Sequence, residues 1–217
     1  LYYEQKNTNL EPIYSCWSVF AFGLMPTSAV QLLHPQVREL VEQRGWELTP
    51  VQEAAAADLV EGENRILVAP TGSGKTEIYM EAISEAISVN KQVLVLFPEI
   101  SLSTNFYEII KKRFEKGFAE WHSGVSRKKK RTILKYILNG SLKLVFGARS
   151  AVFLPFNNLG LVIVDEEHDN SYKQEEGTNY NGRDIAVLKG YYSKATVILV
   201  SATPSIETWV NVKKSKY

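Results

Sequence analysis

From Arg65 onward the chain alternates short apolar runs with longer stretches whose apolar residues recur every third or fourth position. The runs at 65–69, 92–97, 118–122, 143–147, 161–165 and Thr196–Ser201 are continuous rather than alternating, as in strands buried on both faces. Helical spacing fills most of the gaps, at Lys75–Ser88, 101–115, Arg127–Leu138 and 183–193. A further alanine-rich helix opens at Thr49-Pro50-Val51-Gln52, where Pro50 suits the first helical position and Thr49 with Gln52 has capping-box spacing. Strands separated by helices imply parallel pairing with helices on both faces. The pattern therefore predicts an α/β domain built on a doubly wound parallel sheet. No internal repeat or low-complexity tract interrupts it.

The first 45 residues differ. Residues 1–27 show no sustained period, and only Val37, Leu40 and Val41 recur at helical spacing before Gly45. The expected division is an unassigned N-terminal attachment at 1–45 and one lobe at 46–217. The apolar stretch 14–25 is too short to span a bilayer, and it lacks a basic flank or a small-residue cleavage site. Because the sequence begins at Leu1, its true start is expected to lie upstream.

Composition narrows the function classes. Hydrophobic residues make up 45% and charged residues 23%, ordinary values for a globular core. The net charge of +1 gives no global basic field, so any nucleic-acid contact must come from local patches. Cys16 is the only cysteine; alone it forms neither an internal disulfide nor a cysteine zinc site, which fits a reducing, cytoplasmic setting.

Ala69-Pro70-Thr71-Gly72-Ser73-Gly74-Lys75-Thr76 follows a strand and opens a helix, the context a P-loop requires. Gly72 and Gly74 let the backbone turn tightly so that Thr71, Gly72, Ser73 and Gly74 aim their N–H groups at phosphate oxygens. Lys75 would reach the β- and γ-phosphates of ATP, and Thr76 would hold Mg²⁺. The strict pattern has glycine where Ala69 stands; the plainer reading is a glycine-rich turn. Further on, the apolar run 161–164 ends in Asp165-Glu166-Glu167-His168. Carboxylates at the C-terminal end of a parallel strand face the ligand crevice of such sheets. Asp165 would bind Mg²⁺, and Glu166 would orient or deprotonate the attacking water. A solvated acidic turn is the alternative.

With Pro98-Glu99-Ile100-Ser101-Leu102, His122-Ser123-Gly124, Gly147-Ala148-Arg149-Ser150-Ala151 and Ser201-Ala202-Thr203-Pro204, these motifs stand in helicase order. The chain resembles the first RecA-like lobe of superfamily 2 DExH helicases. The stretch 169–174, with Tyr180 and Arg183-Asp184, is similar to the aromatic-rich loop of the PriA family of replication-restart helicases. The resemblance covers about 46–212. It implies an ATP- and Mg²⁺-dependent 3′ to 5′ DNA translocase lobe acting at stalled or branched forks, with primosome and single-strand-binding proteins as partners.

The resemblance also proposes roles. Gln52 would read the adenine edge, unless its side chain simply closes the capping box. His168 would couple hydrolysis to Ser201 and Thr203 of the third conserved segment; a surface histidine is the alternative. Arg149 and Ser150 would touch the DNA backbone, with an internal ion pair as the other option for Arg149. Tyr172, Lys173 and Tyr180 would form a mobile loop that stacks on bases and couples DNA to ATP. Tyr191 and Tyr192 read as packing residues. The basic run 127–131 reads as a solvated helix face. Rival readings are a RecG-like or ComFA-like motor, and a nucleotide-binding scaffold that does not hydrolyse. Nothing after Pro204 resembles the second lobe that supplies arginines in such enzymes, and the clustered zinc cysteines of PriA are absent, so a fragment without a zinc site is expected.

Overall fold

The computed structural model describes residues 65–68, 75–98, 104–114 and 116–214. The attachment at 1–45, the helix expected from Thr49 with Gln52, and the loop residues Thr71, Gly72, Ser73 and Gly74 lie outside the described residues.

The elements follow in the order β1 (Arg65–Val68), α1 (Lys75–Ser88), β2 (Gln92–Leu96), α2 (Thr104–Phe114), β3 (Phe118–Trp121), α3 (Arg127–Leu138), β4 (Leu144–Gly147) and a 3₁₀ turn at Arg149–Phe153. Then come β5 (Leu159–Val164), a second 3₁₀ turn at Asn170–Tyr172, and the small antiparallel hairpin of β6 (Lys173–Gln174) and β7 (Tyr180–Asn181). The described chain closes with α4 (Gly182–Ser193), β8 (Thr196–Ser201) and α5 (Ile206–Lys213). Six strands pair in parallel in the order β1-β8-β5-β2-β4-β3. The doubly wound α/β architecture read from the hydrophobic pattern is the one observed.

The two faces of the sheet explain why the strand runs look continuous. Side chains alternate across a strand. Leu94, Leu96, Val145, Val162, Val164, Val197 and Leu199 share one cluster with Ile133 and Ile137 of α3 and Ala186 of α4. Their neighbours Val93, Val95, Phe146, Leu161, Ile163, Ile198 and Val200 share the other with Tyr79, Met80 and Ile83 of α1 and Ile110 of α2. A strand between two helical layers needs apolar residues at both parities.

Two details fix the strand ends. Gln92, fully buried, donates from Nε2 to the carbonyls of Ile137 and Leu142 at 3.0 and 2.9 Å. Its Oε1 accepts from the backbone N–H groups of Asn157 and Asn158 at 2.9 and 2.8 Å. All four hydrogen-bonding positions of the amide are thereby used. At the other end, a Cβ on Gly147 would lie 2.0 Å from the Trp121 carbonyl oxygen, so only glycine lets β4 run that close to β3.

Most boundaries match the periodicity. The exceptions have local causes: β5 starts at Leu159, two residues early, because Gly160 falls inside the strand. The 3₁₀ turns and the two-residue hairpin strands are too short to carry any period. No helix among the described residues is long and apolar enough to cross a membrane.

Candidate active site

Parallel pairing places the C-terminal ends of all six strands on one rim, and the chemistry collects there. Helix α1 begins with Lys75, whose side chain is buried. One helical turn later, the Tyr79 hydroxyl donates to Asp165 Oδ2 at 3.1 Å and also hydrogen-bonds the Thr76 side chain. Asp165 follows β5, its N–H held by the Leu96 carbonyl at 2.9 Å. Burial, with the neighbouring Glu166 charge, pushes the Asp165 carboxyl up to about 6, against the bonds from Tyr79 and the Glu166 N–H. Burial likewise raises Tyr79 well beyond the usual phenol range, so it stays a donor. The Lys75 charge also pulls Asp165 down but does not offset the burial, so a further cation would stabilise the carboxylate.

Glu166 adopts a left-handed backbone conformation, φ 46°, which costs a non-glycine residue energy and is common where function holds it in place. The conformation brings its carboxylate between two partners: Lys75 Nζ at 3.7 Å from Oε1, and His168 Nδ1 at 3.6 Å from Oε2. His168 Nδ1 also lies 2.7 Å from Ser201 Oγ, and that oxygen accepts from the Thr203 N–H at 3.0 Å. A polar chain thus runs from Lys75 at the start of α1 to Ser201 and Thr203 at the end of β8.

Glu167 turns inward instead. Its carboxylate is fully buried and accepts from the Ser205 N–H at 2.7 Å, Ser205 Oγ at 3.0 Å, Thr208 Oγ1 at 2.8 Å and Arg183 Nη1 at 3.2 Å. Burial works against the Arg183 charge, but the Asp184 and Glu167 carboxylates outweigh it and keep the guanidinium cationic. Tyr79 and the Glu167 cluster are contributions of the fold that no motif announces. Tyr79 has a signal, standing four residues after Lys75; Glu167 has none, since nothing in the sequence separates it from its neighbour Glu166.

The residues expected to meet DNA are placed unevenly. Arg149 donates Nη1 to the carbonyls of Ser171 and Lys173 at 2.8 and 2.5 Å, pinning the loop before the hairpin to the end of β4. Ser150, Lys173 and Thr203 are exposed, and Tyr180 is half-buried, edge-on to Phe153 at 5.0 Å. Tyr172 corrects the expectation of a stacking face. Asp169 caps the 3₁₀ turn through the Ser171 N–H and rolls Tyr172 inward, where it is 1% exposed. Its hydroxyl reaches the carbonyls of Leu96 and Asp165 at 3.0 and 2.6 Å. Tyr172→Ala would empty a core site and so would not report on DNA. Tyr172→Phe should cost about 0.5–1.5 kcal/mol, read as a lower urea midpoint at unchanged slope; no shift would mean the hydroxyl bonds contribute nothing net. Tyr191 and Tyr192 also depart from expectation. Ala186 and Gly190 face the sheet, leaving these rings 77% and 76% exposed and packed on each other at 5.5 Å.

Comparison with known proteins agrees with this geometry. The sequence profile of the DEAD/DEAH box helicases matches residues 49–212, well over half of the chain. The chain belongs to the DEAD/DEAH box helicase family. It is 46% identical over 181 residues to the replication restart protein PriA of Rickettsia felis, covering 82% of this chain and 26% of that protein. To PriA of Bacillus subtilis it is 39% identical over 178 residues, covering 82% and 22%. The likeness to PriA read from the motifs is therefore met by whole-sequence similarity, although the chain spans about a quarter of the length of these relatives. Among solved structures, the fold of this helicase lobe is shared with Mycobacterium smegmatis helicase Lhr bound to ssDNA and AMP-PNP (TM-score 0.64, 19% identity, 85% of this chain and 26% of that one). It is also shared with RecG bound to a three-way DNA junction (TM-score 0.61, 22% identity, 83% and 24%).

Proposed function

We propose that residues 46–217 form the ATP-binding lobe of a PriA-type 3′ to 5′ DNA helicase that works at stalled or branched forks during replication restart. The observation that carries this is the convergence of Lys75, Asp165, Glu166, His168 and Ser201 on one rim. The donor set suits a magnesium–phosphate group. The Lys75 charge only partly offsets the burial of Asp165 and its repulsion from Glu166, Thr76 shares the Tyr79 hydroxyl beside it, and Lys75 supplies a buried cation. Among the described residues no three His, Cys, Asp or Glu side chains form a metal cage of their own, so Mg²⁺ would rest on Asp165, Thr76 and the phosphates it accompanies. Bound there, the ion would neutralise charge on the phosphates of ATP.

The protein's own part is positioning. Lys75 holds the terminal phosphates, with Thr71, Gly72, Ser73 and Gly74 as the backbone cradle and Gln52 at the adenine. Glu166 orients water and accepts its proton, releasing Lys75 to the nucleotide. His168 reports the state of Glu166 to Ser201 and Thr203. On the DNA side, Ser150, Lys173 and Tyr180 line the same rim. Arg149 serves them by holding the loop carbonyls rather than by binding phosphate itself. Because that loop packs through Tyr172 onto the Asp165 carbonyl, a shift on the DNA side reaches the acidic box within one residue. The remaining parts of such a motor are a second lobe that completes the site and primosome or single-strand-binding proteins.

The test is ATP hydrolysis by the full-length protein with and without DNA, followed by unwinding of forks carrying a 3′ or a 5′ tail. Magnesium-dependent turnover stimulated by DNA, with opening that requires 3′ to 5′ movement, is the expected result. Nucleotide binding without turnover on any DNA would instead identify a scaffold.

A further inference from the structure

Charge is unevenly spread along this chain. Between Thr104 and Lys143, eleven Lys or Arg stand against three Glu, a local balance of +8 in a protein whose total is +1. Helix α3, RKKKRTILKYIL, holds six of these cations and no acid. Arg127, Arg131 and Lys135 recur every fourth residue, so with Lys128 they share one stripe roughly 100° wide. All four are exposed, while Ile133 and Ile137 bury the opposite side. Lys129 is engaged by Glu120 at 2.7 Å, and Lys130 lies over the Trp121 ring at 5.4 Å. The four stripe cations have no acidic partner among the described residues.

Two features make this stripe costly to the helix that carries it. Like charges at i and i+4 repel. Cations in the first turn also oppose the helix dipole, whose positive end lies there. A segment whose local charge works against its own fold is one whose sequence answers to something outside it.

The sequence alone gives a solvated face; the fold adds its address. Helix α3 starts just past the C-terminal end of the edge strand β3, so Arg127 sits on the rim that carries Asp165 and, one strand over, Arg149 and Ser150. From β5 to β3 is three strand spacings, roughly 14 Å. We infer that the Arg127–Lys128–Arg131–Lys135 face of α3 is a docking surface for the phosphate backbone of duplex DNA, extending the rim beyond the strand-end contacts. This rests on the DNA-motor reading above. Duplex is favoured over single strand because single-strand sites pair charge with stacking rings. Here the nearest ring, Trp121, is covered by Lys130, and Tyr136 lies toward the far end of the helix.

The test is the triple variant Arg127→Gln, Arg131→Gln and Lys135→Gln in the full-length protein. Affinity for a blunt duplex should fall about tenfold or more at physiological salt. The slope of log affinity against log salt should flatten by about 3, one unit per lost phosphate contact. Affinity for a single-stranded oligonucleotide and DNA-free ATP turnover should stay at wild-type values, and thermal stability should hold or rise. Unchanged duplex affinity and slope would overturn the inference while leaving the motor reading intact. Equal loss on single strands would overturn the duplex assignment. Loss of poly-glutamate binding with duplex binding intact would assign the face to an acidic protein and overturn it too. A wild-type protein that binds no DNA would sink the motor reading and this surface with it.

Discussion

In the full-length protein, Lys75→Ala should lower ATP turnover by about 10²–10³ or more and weaken nucleotide binding, while Glu166→Gln should abolish turnover and leave binding in place. The two residues touch in the structure, 3.7 Å apart, yet their chemistry separates them. A buried ammonium against phosphate is a charge-assisted contact worth about 1.5–3 kcal/mol in binding. Aimed at charge that develops during the reaction, such a donor contributes roughly 2.7–4 kcal/mol to the barrier. Glu166 contributes a base, about 10²–10⁴ in rate, and nothing that grips the nucleotide. Removing its charge even relieves the repulsion that raises Asp165. Fluorescent-nucleotide titration beside a phosphate-release assay distinguishes the pair. If Glu166→Gln lost binding and turnover together, Glu166 would be a structural or metal-holding group; if Lys75→Ala turned over like wild type, the phosphate assignment would fail.

The second large effect belongs to a residue that takes no part in the chemistry. Glu167→Ala should destabilise the lobe by about 3–5 kcal/mol, the usual cost of removing one member of a buried ion pair. The Arg183 and Glu167 side chains are 5% and 0% exposed, and the alanine would leave Arg183 with only the half-exposed Asp184 as an acidic partner. It would also strip acceptors from the Ser205 N–H and from Thr208. Glu167→Gln should recover part of the loss, since the amide oxygen still accepts from Ser205. Urea unfolding followed by tryptophan fluorescence reads this directly, because Trp209 lies on the helix that Glu167 anchors. A loss below about 1 kcal/mol would mean that water enters the cluster and carries its charge.

The contrast between adjacent Glu166 and Glu167 marks where sequence reading ends. The sheet was legible because burial on two faces writes itself as unbroken apolar runs, and Lys75–Ser88 and Arg127–Leu138 emerged with their observed limits. The family motifs single out Lys75, Asp165, Glu166, His168 and Ser201, and the fold joins them on one rim. What stayed hidden depends on single backbone angles. A φ of 46° at Glu166 sends one carboxylate to the rim and the next into the core, and no periodicity encodes that. Tyr172 failed for a related reason: polar neighbours in sequence suggested solvent, whereas a one-turn 3₁₀ segment capped by Asp169 rotates the ring under β2 and β5. The motif puts Arg149 at a strand end, but which acceptor a guanidinium finds there is decided by the loop beside it.

Gln92 carries a consequence for how the sheet reaches its alignment. Chains rich in Val, Leu and Ile offer little to distinguish one two-residue offset from another, since either leaves apolar groups against apolar groups. The amide of Gln92 does discriminate, because its four partners come from two separate segments, the end of α3 with the turn after it (Ile137, Leu142) and the loop 157–158, that meet only in the native offset. Any other offset of β2 leaves an amide in the core without partners, a penalty of several kcal/mol rather than a gradual loss. The residue therefore works as an alignment check on the central strand, and it does so at the end of the sheet opposite Lys75 and Asp165, where no chemistry competes for the position.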